Sequence, residues 1–442
     1  MGKQKITLKI ILINFICFLL FLMFLSFAKE NTEENTQEKF KDRNLSIRQK
    51  YDDNLKSYGL FNQSAFLPNI SVITDFSFNN YNINEDLNLF TPGFYNQNPL
   101  NTKGFNLNYS ELNINASVDP YFDLYFVSSF NENNVEIEEA YAVTRSLSGF
   151  QLKIGKFRSS FGRINSQHEH VWDFATPPMI YELFLTDEML NEKGIQINYL
   201  FPSNIYILSG IELLQGDNEM SFGNSSISIN TRLDGTGEDI LIKSPTKPNL
   251  FVGFVKTSFD VGNLSVLTGF SFATGQSRFD KIQDQNFAFS GKTKLYNFEL
   301  TAKYFIDSYR YISFQTEYIQ RSRKGNSYEY DNLGDLVTNQ YDSNQSGFYS
   351  QIVYRFNKQW RIGLQYNKIT NNSVKINGLN QSLPVNLDAN YLMLDFNPTE
   401  FSRIRIQYGN KDYLFENTNK KRINEFILQF NFAIGSHGAH PF

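Results

Sequence analysis

"WRIGLQYNK", Trp360–Lys368, decides how the rest of the chain is read. In an extended segment Trp360, Ile362, Leu364 and Tyr366 share one face, and Arg361, Gly363, Gln365 and Asn367 share the other, because successive strand side chains point to opposite sides. "SRIRIQYGN", Ser402–Asn410, sets Ile404, Ile406 and Tyr408 against Arg403, Arg405 and Gln407. "FQLKIG", Phe150–Gly155, sets Phe150, Leu152 and Ile154 against Gln151 and Lys153. Alternation over about ten residues with an aromatic-rich apolar face is the signature of a strand that crosses a bilayer. Lipid offers no partner to a free backbone group, so such strands must close into a barrel.

Sixteen segments carry the pattern: 69–79, 103–117, 120–130, 134–145, 150–158, 193–201, 204–214, 249–259, 263–274, 293–306, 310–321, 346–357, 360–370, 388–397, 402–410 and 424–434. The expected fold is all-β, a transmembrane antiparallel β-barrel of about sixteen strands over residues 69–434. The linkers "VDP", "SLSG", "PS", "DVGN", "DSY", "KQ" and "PTEF" are short, and nearly all those between them are long and rich in Asn, Ser and Gly; only "NEN" breaks the alternation. Outer-membrane barrels have short periplasmic turns, longer outer loops and an even strand number. The spacing therefore predicts a Gram-negative outer-membrane location with both termini periplasmic. A soluble β-sandwich, the competing fold, explains neither this alternation nor the end of the chain. There "FILQFNFAI" puts Phe426, Leu428, Phe430 and Phe432 on one face, a terminal aromatic strand of the kind the barrel assembly machinery reads. The tail "GSHGAHPF", 435–442, separates that strand from Phe442.

Composition agrees. Aromatics make up 16% of 442 residues, yet mean hydropathy is −0.38, as alternation requires. At the start, Lys3, Lys5 and Lys9 precede an apolar run from Ile10 to Ala28, so residues 1–28 read as a secretory signal peptide. A retained membrane anchor is the alternative reading. The lone cysteine, Cys17, lies inside this run; a mature chain without it has no disulfide and no Cys-ligated metal. Net charge is −4, and subtracting the three signal lysines leaves −7, which argues against a nucleic-acid partner. Residues 29–68 are polar and charged, either a short amphipathic helix carrying Leu45, Tyr51, Leu55 and Tyr58 or a solvated tether.

The third outer linker, between residues 158 and 193, differs from the others. It holds Phe161, Val171, Trp172, Phe174, Met179, Ile180, Tyr181, Leu183, Phe184 and Leu185, too apolar to stand in water. It also holds Glu169, Asp173, Glu182, Asp187, Glu188 and Glu192 against Arg163 alone. By the alternation Arg361, Arg403 and Arg405 face the lumen. Glu169, Trp172 and Asp173 against these three arginines make a candidate pore constriction with a transverse field; arginines that merely hydrate a polar lumen are the alternative. Lys153, Asp123, Glu136, Glu138, Glu299, Glu317 and Asp395 also read as inward-facing.

All four histidines lie in two pairs, His168 with His170 and His437 with His440. Each pair offers two ligands to zinc or nickel, which is half a site; hydrogen bonds that pin a loop and a tail are the competing reading. The eight-residue tail reaches at most about 26 Å, so all four meet only if the tail turns up inside the barrel. No nucleophile motif such as G-x-S-x-G occurs, and the chain is not expected to be an enzyme.

"VEIEEAYAV", "LKIGKFRSSFGRINSQHEHVWDFATPPMIYELFL" and "NEKGIQINYLFP", with "LPNISVITDFSF", "NINASVDPYFDLYF" and "HGAHPF", resemble a family of largely uncharacterised proteobacterial outer-membrane barrels. The likeness is densest over residues 67–202 and the tail. It implies an outer-membrane, porin-like barrel whose third loop folds inward. Some members carry the name zinc-regulated outer-membrane receptor, which implies a link to metal supply. The functions expected are passive diffusion of small hydrophilic solutes, a channel or receptor for a metal ion or chelate, or a surface binding barrel. No cofactor is required on the first reading, and zinc is the ligand on the second. Trimers are usual for this architecture; the sequence shows no interface.

Overall fold

The computed structural model describes residues 67–84, 87–95, 100–132, 134–186 and 189–435. The expected signal peptide, most of the polar segment, and the tail with His437 and His440 lie outside the described residues.

Sixteen antiparallel strands form one closed sheet: β1 Asn69–Tyr81, β2 Gly104–Ser117, β3 Phe122–Phe130, β4 Val135–Thr144, β5 Phe150–Arg158, β6 Asn191–Leu200, β7 Tyr206–Leu214, β8 Leu250–Val261, β9 Leu264–Lys281, β10 Phe287–Phe305, β11 Tyr311–Tyr330, β12 Leu336–Arg355, β13 Trp360–Ile376, β14 Leu387–Thr399, β15 Ser402–Glu416 and β16 Asn419–Gly435. Each pairs with its neighbours in sequence. β1 closes on β16, with Ser71 opposite Gly435 and Tyr81 opposite Glu425. Two-residue pieces, Leu89–Phe90 and Leu379–Asn380, attach to this sheet, and Ile227–Asn230 pairs with Asp239–Ile242 as a separate hairpin.

The faces are those of a barrel in lipid. Ile362, Leu364, Tyr366, Ile406 and Tyr408 are exposed, whereas Gln365, Asn367, Arg405 and Gln407 are buried. This inverts the burial pattern of a water-soluble protein and matches the outward apolar band of a membrane barrel.

Strand lengths depart from the sequence reading. β9 to β13 run 18, 19, 20, 20 and 17 residues, while about 9–11 tilted residues cross a bilayer. Past Tyr318 the outward positions of β11 are Gln320, Ser322, Lys324 and Asn326, so this part of the ladder stands outside the lipid. Linkers read as long loops at 275–292 and 322–345 are therefore mostly strand, turning only at 282–286 and 331–335. Backbone pairing continues where no apolar face is needed, and a reading keyed on apolar faces stops at the edge of the membrane.

At one rim the connections are all short: 118–121, 145–149, 201–205, 262–263, 306–310, 356–359 and 400–401. The opposite rim carries three long ones, 82–103, 159–190 and 215–249. All three contribute to one buried apolar cluster: Leu89 and Phe94 from the first, Trp172, Phe174, Ile180 and Phe184 from the second, and Phe222 from the third. The cluster includes the inward-facing Leu295, Ile319, Tyr349, Met393 and Tyr413.

Candidate functional site in the barrel lumen

Segment 159–190 leaves β5 and is fastened at its base by one side chain. Asn165 donates to the carbonyls of Ser159 and Leu190 and accepts from the Leu190 amide. Glu212 of β7 accepts from Ser159 Oγ (2.5 Å) and the Ser160 amide (2.9 Å). Gly162 then turns the chain with φ +73°; a Cβ there would lie 2.2 Å from Tyr181 Oη and 2.7 Å from a Glu317 carboxylate oxygen, so only glycine permits the approach. That approach delivers the backbone to Glu317 of β11. Its carboxylate accepts from the amides of Arg163 (2.9 Å) and Ile164 (3.1 Å), from Tyr181 Oη (2.6 Å), Tyr349 Oη (2.8 Å) and Asn297 Nδ2 (3.0 Å). A buried carboxylate needs several donors to offset its lost hydration, and here the segment supplies three of them.

Farther on, the segment touches the other side of the barrel. Asp173 pairs with Arg361 of β13 (2.8 Å) and accepts from Gln351 of β12. Arg361 and Arg405 share Asp395 of β14; the Arg405 Nε to Asp395 distance is 2.8 Å. The Trp172 carbonyl accepts from Arg405 (2.9 Å) and Arg403 (3.4 Å) of β15, and Gln407 accepts from the Ala175 amide. The short helix α1, Met179–Leu185, starts with the Met179 amide on Asn367, and Tyr413 donates to Glu182 (2.5 Å). Of the residues singled out for a constriction, Trp172, Asp173, Arg361, Arg403 and Arg405 are thus brought together, in direct contact. Asp173 is paired with Arg361 instead of facing it across a gap, and Trp172 and Arg405 are buried where segment and wall meet. Glu169 is exposed, on a small cavity considered next.

His168 and His170 flank Glu169 in a single 3₁₀ turn, Glu169–Val171, with rings stacked at 5.7 Å. His168 Nε2 meets Glu139 of β4 at 2.9 Å. Its Nδ1 lies 3.3 Å from Glu111 of β2 and 3.3 Å from Glu138 of β4. His170 Nδ1 lies 3.5 Å from Glu111. Arg158 completes the group, pairing with Glu138 and giving its amide to Glu139. Burial and Arg158 disfavour a charged His168, but the three carboxylates outweigh both and hold its pKa well above the ordinary imidazole value. A cavity of about 150 Å³ adjoins, lined by Asn108, Tyr109, Glu111, Ser129, Glu138 and Glu169.

Adjacent residues of one strand normally face opposite sides, yet Glu138 and Glu139 both face the lumen. The register between β3 and β4 shifts after Val127: Glu139 lies opposite Val127 and Ile137 opposite Ser128, leaving Glu138 as the extra residue of a bulge. Bulges re-aim side chains in this way. The alternation identifies Glu138 as inward but sends Glu139 to the lipid, and it draws no attention to Glu111.

The two other long loops also enter the lumen, where the sequence reading brought in only the third. Phe94 stacks on Phe184 at 5.5 Å, and the Arg321 guanidinium lies over both rings. Gln345 donates to the Gly93 carbonyl. A four-residue helix, α2 Glu219–Phe222, is tied to the third loop: Asn218 donates to the Leu185 and Met189 carbonyls and Ser221 to that of Phe184. Arg323 of β11 donates to the Met220 carbonyl. The aromatics Phe90, Phe94 and Tyr95 of the first loop and Phe222, the single aromatic of 215–249, were the available signal.

The chain is 51% identical over 415 residues to an uncharacterised protein of Aquifex aeolicus (strain VF5), spanning 91% of this chain and 86% of that one. No family model matches it. Among solved structures it is similar to the loop L8 deletion mutant of OmpT, an outer membrane protein of Vibrio cholerae, with a TM-score of 0.50 at 11% identity over 84% of this chain and 100% of that one. The outer membrane channel DcaP of Acinetobacter baumannii follows with a TM-score of 0.48 at 11% identity over 85% and 99%. The likeness to the OmpT mutant is one of fold.

Proposed function

This chain belongs to the same family as the Aquifex aeolicus protein, and from that premise and the lumen geometry we propose that it is an outer-membrane channel. It passes small hydrophilic solutes by passive diffusion through a lumen narrowed by segment 158–193. The observation that carries this reading is the span of that segment's contacts, from Glu111 on β2 through Glu317 on β11 to Arg405 on β15. A strap fastened to walls on both sides sets the bore of a barrel. The rim of short turns is the periplasmic one on this reading, and the three long loops enter from outside. The expected partners are lipid, the assembly machinery and solutes, with a homotrimer as the assembly.

Single-channel recording in a planar bilayer tests it. The native chain should give small, steady conductances, and replacing residues 164–186 by a short Gly-Ser linker should raise them severalfold. Equal conductance of the two proteins sinks the reading. The buried apolar cluster favours a second one, a surface binding barrel with a blocked pore. That reading gains if the native chain is silent and only the shortened variant conducts.

A further inference from the structure

We propose that His168, Glu111 and Glu138 form a binding site for a zinc-class divalent cation that clips the lumenal segment to the barrel wall. The site is inside the barrel whether or not the barrel conducts.

Geometry is the first support. Ligand atoms of the three residues lie within 4.8 Å of one another. His168 Nδ1 is buried and makes no hydrogen bond of good geometry, although a carboxylate oxygen from each glutamate lies 3.3 Å away. Donor atoms about 2.0–2.1 Å from a tetrahedral zinc lie about 3.3–3.4 Å from each other. The two 3.3 Å separations are therefore poor hydrogen bonds but match two edges of a coordination tetrahedron. His170 Nδ1, 3.5 Å from Glu111, is within reach of a fourth corner, and the adjoining cavity has room for a water ligand instead.

The surroundings of the ligands are the second support. Glu139 holds the other nitrogen of His168 at 2.9 Å and is itself fixed by the Arg158 amide. A carboxylate behind a histidine fixes the tautomer and turns the free nitrogen toward the metal. Glu111, Glu138 and Glu139 against Arg158 leave an excess of two negative charges before the imidazoles are considered. Burying such an excess is costly; a protonated His168 offsets half of it, and a divalent ion that takes the proton's place on Nδ1 cancels all of it. Imidazole with carboxylate oxygens suits zinc, cobalt or nickel better than magnesium or calcium, which take oxygen ligands alone.

The test uses the full chain folded in detergent near neutral pH, with folding checked by the shift of gel mobility on heating. Isothermal titration with zinc should show one site per barrel. Cobalt should give the intense visible absorption of a tetrahedral centre. His168→Ala should weaken zinc by more than about 100-fold, and Glu139→Gln by about 10-fold, since losing a carboxylate behind a ligand costs 10–100-fold. Glu138→Gln carries the test if His168→Ala does not fold. The double variant His437→Ala/His440→Ala should bind as the native chain does. No zinc or cobalt binding by the folded native chain overturns the proposal. So does unchanged binding by both the His168 and Glu138 variants, or loss of the site in the tail variant.

Discussion

The two halves of this barrel use the same alternation for different ends. β3 to β7 are 9–10 residues long, just enough to cross lipid. β9 to β13 are about twice that and rise well beyond the apolar band. The low half sends out the segments at 159–190 and 215–249, and the tall half receives them, through Glu317, Arg321, Arg323 and Asn367. A strand extended past the membrane thus adds an inward ladder of polar groups to which a loop from the opposite wall can be fastened. Nothing on its outer face records this, because that face is ordinary hydrated strand.

Several substitutions break or sharpen the comparison. The largest effect is expected at Asp395→Ala, which leaves Arg361 and Arg405 without their shared carboxylate. Removing one partner from a buried charge group costs about 3–5 kcal/mol, read as a lower urea midpoint for unfolding in detergent or lipid. Leu364→Arg, on the lipid face, should cost about 2–4 kcal/mol if it lies near the midplane. Glu317→Gln should cost about 1–3 kcal/mol, since donors lose an ionised acceptor, and should make segment 159–190 cleavable by added protease. Asn326→Arg makes the same outward charge change as Leu364→Arg, but on the extension, and should stay within about 0.5 kcal/mol of the native protein. Equal costs for Leu364→Arg and Asn326→Arg would show that the extension is in lipid after all, and the contrast between the halves would fall.

How much of this was legible follows from which physical force writes a pattern. Lipid demands an apolar outward face, so Trp360–Lys368 and Ser402–Asn410 read directly as strands, and their inward arginines and glutamines with them. The third loop was legible because Trp172, Phe174 and Phe184 have no business in water. Beyond the membrane the pattern ends and the ladder does not, so the upper parts of β11 and β12 read as loop. Glu139 was hidden for another reason: the bulge at Glu138 changes the face of every later residue in β4, and one strand read alone cannot show an offset defined by its partner. Glu111 joins the histidines only through the pairing of β2 with β3 and of β3 with β4. The metal candidates were therefore half visible, as ligands without the wall that completes them.

The fastening of segment 159–190 also sets an order of events. Its anchors include Arg403, Arg405 and Gln407 of β15, made more than two hundred residues after the segment itself. Contacts of such sequence separation form late, since the intervening loop entropy must first be overcome. Until β15 is in place, the strap's far side rests on Gln351, Arg361 and Asn367 alone. The seating of the strap is therefore completed only after most of the wall that holds it has been made.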